Sequence, residues 1–176
     1  MPIHIIIDGY NLIRQSPELS NLERTDFQQG RVALIERLAA YKKIKPHKIT
    51  VVFDGSKGSS FSGTPDFFKG IEIRFSRANE SADTVIKKMA RQQRQKALVV
   101  SSDREIITAA ESWGAASISS PNFEKKLVNA EYLKSKGPNQ HEADDRRSWK
   151  GSTQKKGPRR RLSKRMRRNK LKIKKL

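Results

Sequence analysis

Two periods organise the apolar positions of the chain. Short runs rich in Ile and Val recur at Ile3–Ile7, Ile49–Phe53, Ile71–Phe75, Ala97–Ser101 and, more weakly, Ala115–Ser119. Runs of this length and composition predict buried strands; Ile71-Glu72-Ile73-Arg74-Phe75 alternates, which predicts a strand with one more exposed face. Between them the spacing turns helical. Phe27, Leu34, Ile35 and Leu38 share a face and predict a helix to about Lys43, ended by Lys45-Pro46. Ala82, Val85, Ile86, Met89 and Ala90 form a full i, i+3, i+4, i+7, i+8 stripe. Ile106, Ile107, Ala110 and Trp113 carry a third helix to Gly114, and Phe123–Leu133 fits a closing one.

Thr25-Asp26-Phe27-Gln28 and Ser102-Asp103-Arg104-Glu105 read as capping boxes, with Thr25 and Ser102 at the caps, and Asn79 or Ser81 caps the helix between them. The stretch from Arg14 to Arg24 reads as a polar connection, and Gly55–Pro65 as a Gly/Ser-rich loop. Strands alternating with helices predict an α/β fold: a mostly parallel central sheet of about five strands with helices on both faces.

Charge divides the chain in two. The formal net charge is +20, and residues 134–176 hold 18 Lys and Arg against 3 Asp and Glu, whereas residues 1–133 hold 20 against 15. We therefore expect a domain over 1–133 and a basic tail over 134–176, disordered by itself because it has few large apolar residues. Leu162, Met166, Leu171, Ile173 and Leu176 would let Arg159–Leu176 form a helix on a partner. A polycation of this kind favours nucleic acid, against the plainer reading of a solubilising tail. There is no cysteine, which removes disulfide and thiol chemistry. The start carries no basic, apolar leader and no run approaches a membrane span, so a cytoplasmic protein is expected.

The strands end in acids. Asp8 closes the first strand, Asp54 the second, and Asp103 follows the fourth, while Asp83 lies in the first turn of a helix that starts at the same edge. Taken singly, each is explained as a turn former, a first-turn acid or an i+4 partner of Lys87. Together they are harder to dismiss, because ligands of open α/β sheets sit beyond the carboxyl ends of the strands. Two carboxylates about 4 Å apart repel by ~4 kcal/mol at an effective dielectric near 20, so such a cluster must share protons or hold a cation. Oxygen ligands without His or Cys select Mg2+ or Mn2+. His4 and His47 have no zinc-site spacing, and Walker, dinucleotide and nucleophile-elbow motifs are absent. A hard ion on carboxylates, ringed by Lys57, Arg74, Arg77, Arg104 and the tail (Arg159, Arg160 and Arg161 among it), suits phosphodiester hydrolysis. Tyr10, Phe61 and Phe67 are the few aromatic candidates for base stacking, and each could equally be core.

Ile6-Ile7-Asp8-Gly9-Tyr10-Asn11, Val51-Val52-Phe53-Asp54, Asn79-Glu80-Ser81-Ala82-Asp83 and Val99-Val100-Ser101-Ser102-Asp103, in that order, resemble the bacterial YacP-like NYN domains of the PIN-like nuclease superfamily. The resemblance spans residues 3 to about 127. It implies a PIN-like three-layer α/β/α sandwich and a metal-dependent endoribonuclease. It further implies a metal site of Asp8, Asp83 and Asp103, with Asp54 as a less constant member and Asn11, Glu80 and Ser102 in support. Messenger or ribosomal RNA, with the ribosome itself, is the implied partner. A non-catalytic RNA-binding protein with a vestigial site, and a nuclease acting on DNA, are the alternatives.

Overall fold

The computed structural model describes residues 3–55, 65–136 and 163–176. The chain runs β1 (His4–Asp8), α1 (Gly9–Gln15), α2 (Pro17–Thr25), α3 (Phe27–Ile44), β2 (Lys48–Phe53), β3 (Asp66–Phe68) and β4 (Ile71–Phe75). It continues with α4 (Ala82–Gln93), β5 (Ala97–Val100), α5 (Arg104–Ser112), β6 (Ala116–Ile118), α6 (Ser120–Lys136) and α7 (Lys164–Lys175). The sheet has the order β3-β4-β2-β1-β5-β6. Every pairing is parallel except β3 with β4.

The central strands are buried on both sides, so successive residues enter different cores. Ile5, Ile7, Val51, Phe53, Leu98 and Val100 face Leu12, Leu34, Leu38, Phe123 and Leu127 of α1, α3 and α6. Ile6, Val52 and Val99 face Ala82, Ile86, Met89, Ile106 and Ala110 of α4 and α5. The result is three layers, α/β/α. Full burial of a side chain such as Ile6, which is 0% exposed, stabilises the fold by about 1.5–3 kcal/mol.

Several sequence expectations change. The stretch Arg14–Arg24 is not a connection but the end of α1 and nearly all of α2. Its signal is Ser16-Pro17-Glu18: a cap residue, a proline at the first helical position and an acid in the first turn. A sixth strand, β3, is joined to β4 through Lys69 and Gly70, both at positive φ (49° and 80°), as two-residue hairpin turns prefer. The caps sit one residue later than the boxes suggest: Asp26 accepts from the Gln28 amide and Asp103 from those of Glu105 and Ile106. Between the two candidates for α4, Ser81 is the cap. β4 is also less exposed than its alternation suggests, with Glu72 buried in a polar network.

The last change concerns the basic tail. Lys164–Lys175 is a helix laid against the domain itself rather than a disordered segment. Leu176 is buried in the larger core and Ile173 packs against it. The Tyr41 hydroxyl donates to the Leu176 carbonyl (2.9 Å), the Ser117 amide to Asn169 Oδ1 (3.2 Å), and Lys172 Nζ to the Ala97 carbonyl (3.2 Å). Residues 137–162 lie outside the described residues. Among those described, no helix is long and apolar enough to cross a membrane.

Candidate active site

The strand order places a switch point between β1 and β5. From β1 the chain moves outward to β2 and β4, then returns to β5 on the other side of β1. A crevice opens at the carboxyl ends of two strands that diverge in this way. Here it is a cleft of about 250 Å³ lined by Asp8, Tyr10, Asn11, Arg14, Asp54, Ala82, Asp83 and Asp103. All four acids expected at the sheet edge meet in it.

Each is held by its element. Asp8 ends β1 and caps α1, its Oδ1 accepting the Asn11 amide (3.2 Å). The next residue has to be glycine, because a Cβ on Gly9 would fall 2.3 Å from Cε1 of Phe53. Asp103 caps α5, its Oδ1 accepting the Glu105 amide (2.6 Å) and that of Ile106 (3.3 Å). Asp83 lies in the first turn of α4 and Asp54 just past β2. The positive ends of three helices therefore help gather these carboxylates.

A buried polar frame joins β1 to β5 beneath the acids. Ser101 donates its hydroxyl to Asp8 Oδ2 (3.2 Å) and accepts the Asp103 amide (3.1 Å). Asn11 Oδ1 accepts both the Ser102 amide (2.9 Å) and the Ser120 hydroxyl (2.7 Å). The Ser120 amide donates to Ser102 Oγ (3.3 Å). Asn11 and Ser102 therefore brace the loop after β5, and Asn11 also faces the cleft. Ser101, Ser120 and Arg14 were not singled out from the sequence. Arg14 follows Asn11 by three residues on α1, a signal that opens only once α1 is known. Ser120 had none, because only the fold brings it to Asn11.

The electrostatics are unrelieved. Burial pushes the Asp8 carboxyl up to about 6; the Asn11 amide and Ser101 hydroxyl hold it back, and Asp83 and Asp103 raise it further. Burial, then Asp103, raises Asp83 as well, against the pull of Lys87. The donor set suits a hard cation, since it is all oxygen and the carboxyls of Asp8 and Asp83 are both raised in part by neighbouring acids. The arrangement is open: among the described residues, no group of three or more His, Cys, Asp or Glu is disposed to hold a metal ion as it stands.

The remaining sequence candidates lie elsewhere. Glu80 pairs with Lys88 and, with Arg74 and Arg77, lines a neighbouring groove of about 270 Å³ along α4. Arg74 is tied to Glu72 (2.6 Å), and Arg104 is exposed at the start of α5. Tyr10 is buried, its hydroxyl accepting from Arg31 Nε (2.9 Å), whereas Phe67 is exposed on β3. Lys57, Phe61, Arg159, Arg160 and Arg161 lie outside the described residues.

Comparison with known proteins points one way. The family model described as "YacP-like NYN domain" matches residues 5–174, which takes in α7 and extends well past residue 127. "Uncharacterized protein YacP" of Bacillus subtilis (strain 168) is 34% identical over 88 residues, 49% of this chain and 50% of that protein, so the match spans half the length of the curated relative. The crystal structure of Rae1 (YacP) from Bacillus subtilis superposes with a TM-score of 0.65 at 27% identity, covering 77% of this chain and 79% of the other. The crystal structure of a point mutant of the same Bacillus subtilis protein gives 0.62 at 26%, covering 74% and 77%.

Proposed function

From the premise that the chain belongs to the YacP-like NYN domain family, whose fold is of the PIN-like nuclease type, we propose that it is a metal-dependent endoribonuclease. The observation that carries this reading is the cleft at the switch point, where Asp8, Asp54, Asp83 and Asp103 converge from four parts of the chain. Asp8, Asp83 and Asp103, with Asp54 as a further oxygen donor, would hold Mg2+ or Mn2+. When bound, the ion supplies an activated water and charge stabilisation at a phosphoryl oxygen.

The chain's own groups supply the rest. The first-turn amides of α1, α4 and α5 are engaged by Asp8, Ser81 and Asp103, so it is Arg14 that offers an approaching phosphate a cation from the rim. Asn11 is a positioning residue: through Ser102 and Ser120 it fixes the loop that carries Asp103.

The open arrangement of the acids favours one rival, an RNA-binding protein without activity. Two measurements separate the readings. A nuclease should gain melting temperature on addition of Mn2+ and lose cleavage of a single-stranded RNA in EDTA. The Asp103→Asn variant should bind RNA nearly as wild type and not cut it. Cleavage that persists in EDTA would remove the metal; no cleavage of RNA with any divalent ion would leave the binding protein. A matched DNA strand, cut equally well, would widen the substrate.

A further inference from the structure

We propose that α7 is a second nucleic-acid surface: a docked, cationic anchor for RNA phosphates, placed at the opposite rim of the sheet from the acidic cleft. The inference rests on the reading of the chain as an RNA enzyme only for the identity of its polyanion.

The placement follows from its contacts. Lys172 reaches the carbonyl of Ala97, the first residue of β5, and Asn169 receives the amide of Ser117 near the start of β6. Arg165 pairs with Glu111 at the far end of α5 from Asp103 (3.4 Å). Leu176 meets Tyr41 in the last turn of α3, and the Lys175 carbonyl meets His47 just before β2 (3.4 Å). All of these lie at the amino ends of the parallel strands, whereas the cleft lies beyond their carboxyl ends. Five strand residues at about 3.3 Å each put roughly 16 Å of sheet between the two rims.

The charge is one-sided. α7 holds eight Lys and Arg in twelve residues and no acid. Lys172 is half-buried beneath it, and burial lowers its pKa. Lys164, Arg167, Arg168, Lys170, Lys174 and Lys175 are exposed. A strip of cations on a rigid helix suits a regular row of phosphates. A lipid surface is disfavoured by the same geometry. An interfacial helix needs a continuous apolar face outward for the membrane, but Ile173 and Leu176 are spent on the domain's own core, and the exposed Met166 and Leu171 lie roughly 140° apart around the helix and form no stripe.

Separate rims predict separable effects. The test variant is Arg167→Gln, Lys170→Gln and Lys174→Gln together in the full chain, all three solvent-facing, so its melting temperature should match wild type. Each lost phosphate contact lowers the log–log salt slope by roughly 0.7–0.9. Between about 50 and about 200 mM salt, wild-type binding to a long structured RNA should therefore fall roughly thirtyfold more than the variant's. For that RNA the variant's KM rises and its kcat holds; for a short oligonucleotide that fills only the cleft, both stay unchanged. Replacement by Lys170→Arg and Lys174→Arg should preserve binding. Binding measured in an Asp103→Asn background needs no cleavage, so the anchor can be judged even if the nuclease reading fails. Wild-type affinity and salt slope in the triple variant would overturn the proposal. So would phosphatidylserine vesicles that bind the full chain through α7 and are not displaced by RNA.

Discussion

Asp8 and Glu72 are acids set into the same sheet, and they meet opposite fates. The Glu72 side chain is 4% exposed and fully answered: Arg74 Nη2 at 2.6 Å, Lys48 Nζ at 3.1 Å and the Thr50 hydroxyl at 3.0 Å. Burial pushes its carboxyl up, but these partners outweigh it and hold it below the ordinary value. Asp8 receives one amide and one hydroxyl, with no ion pair to Lys or Arg among the described residues, and two further acids share its cleft. A structural acid is neutralised from within the protein; a working one is left for something that comes from outside. Perturbed carboxyls in a cleft are the physical mark of that second kind.

The largest expected break in the comparison is catalytic. Asp83→Asn or Asp103→Asn should reduce RNA cleavage by at least roughly a hundredfold, the scale of losing a charge that acts on the reacting phosphate. Glu72→Gln should leave the rate within about twofold, read in the same gel-based assay. If the two acids fell together in rate, the distinction between them would be lost.

Stability should move the other way. Glu72→Ala strands Arg74, Lys48 and Thr50 and should cost about 2 kcal/mol, less than breaking a fully buried pair because both cations are partly exposed. Asp8→Asn keeps a cap residue yet removes a repelled charge, so urea unfolding at neutral pH should show a gain of about 1–2 kcal/mol.

The smallest effect is the pH dependence of that gain. The Asp8 carboxyl is raised from 3.8 to about 6, so native protein holds that proton more tightly than unfolded chain. The stability this contributes is present below 3.8 and lost as pH rises through about 6. The advantage of Asp8→Asn should thus be full above pH 6 and close toward 3.8. His4 and Glu72 run oppositely. Burial, then Lys48, lowers His4 below 6.5, and Glu72 lies below 4.5, so their contributions are present above those values and lost on acidification. Denaturant midpoints of wild type and variant across this range would separate the two trends.

The legible parts were those carried by local pattern. Apolar runs marked five of the six strands, and the stripe from Ala82 to Ala90 marked α4. Asp8, Asp54, Asp83 and Asp103 could be read as a set because each sits where a strand ends or a helix begins. What was missed depended on context. α1 was hidden because Asp8-Gly9 looks like a turn, when the glycine answers the ring of Phe53 and the aspartate caps a helix. β3 is three exposed residues that, among the described strands, pair with β4 alone. Ser120 joins the site through a hydrogen bond that spans 109 positions of chain.

The sequence by itself determined the layers, the acids at the strand ends and the imbalance of charge toward residues 134–176, because periodicity and composition are local properties. Only the tertiary structure decided which acids share a cleft, which one is left unrelieved, and that the basic helix lies across the other rim. Those depend on the order in which strands pair and on which apolar face finds a core, and neither is written in any single segment.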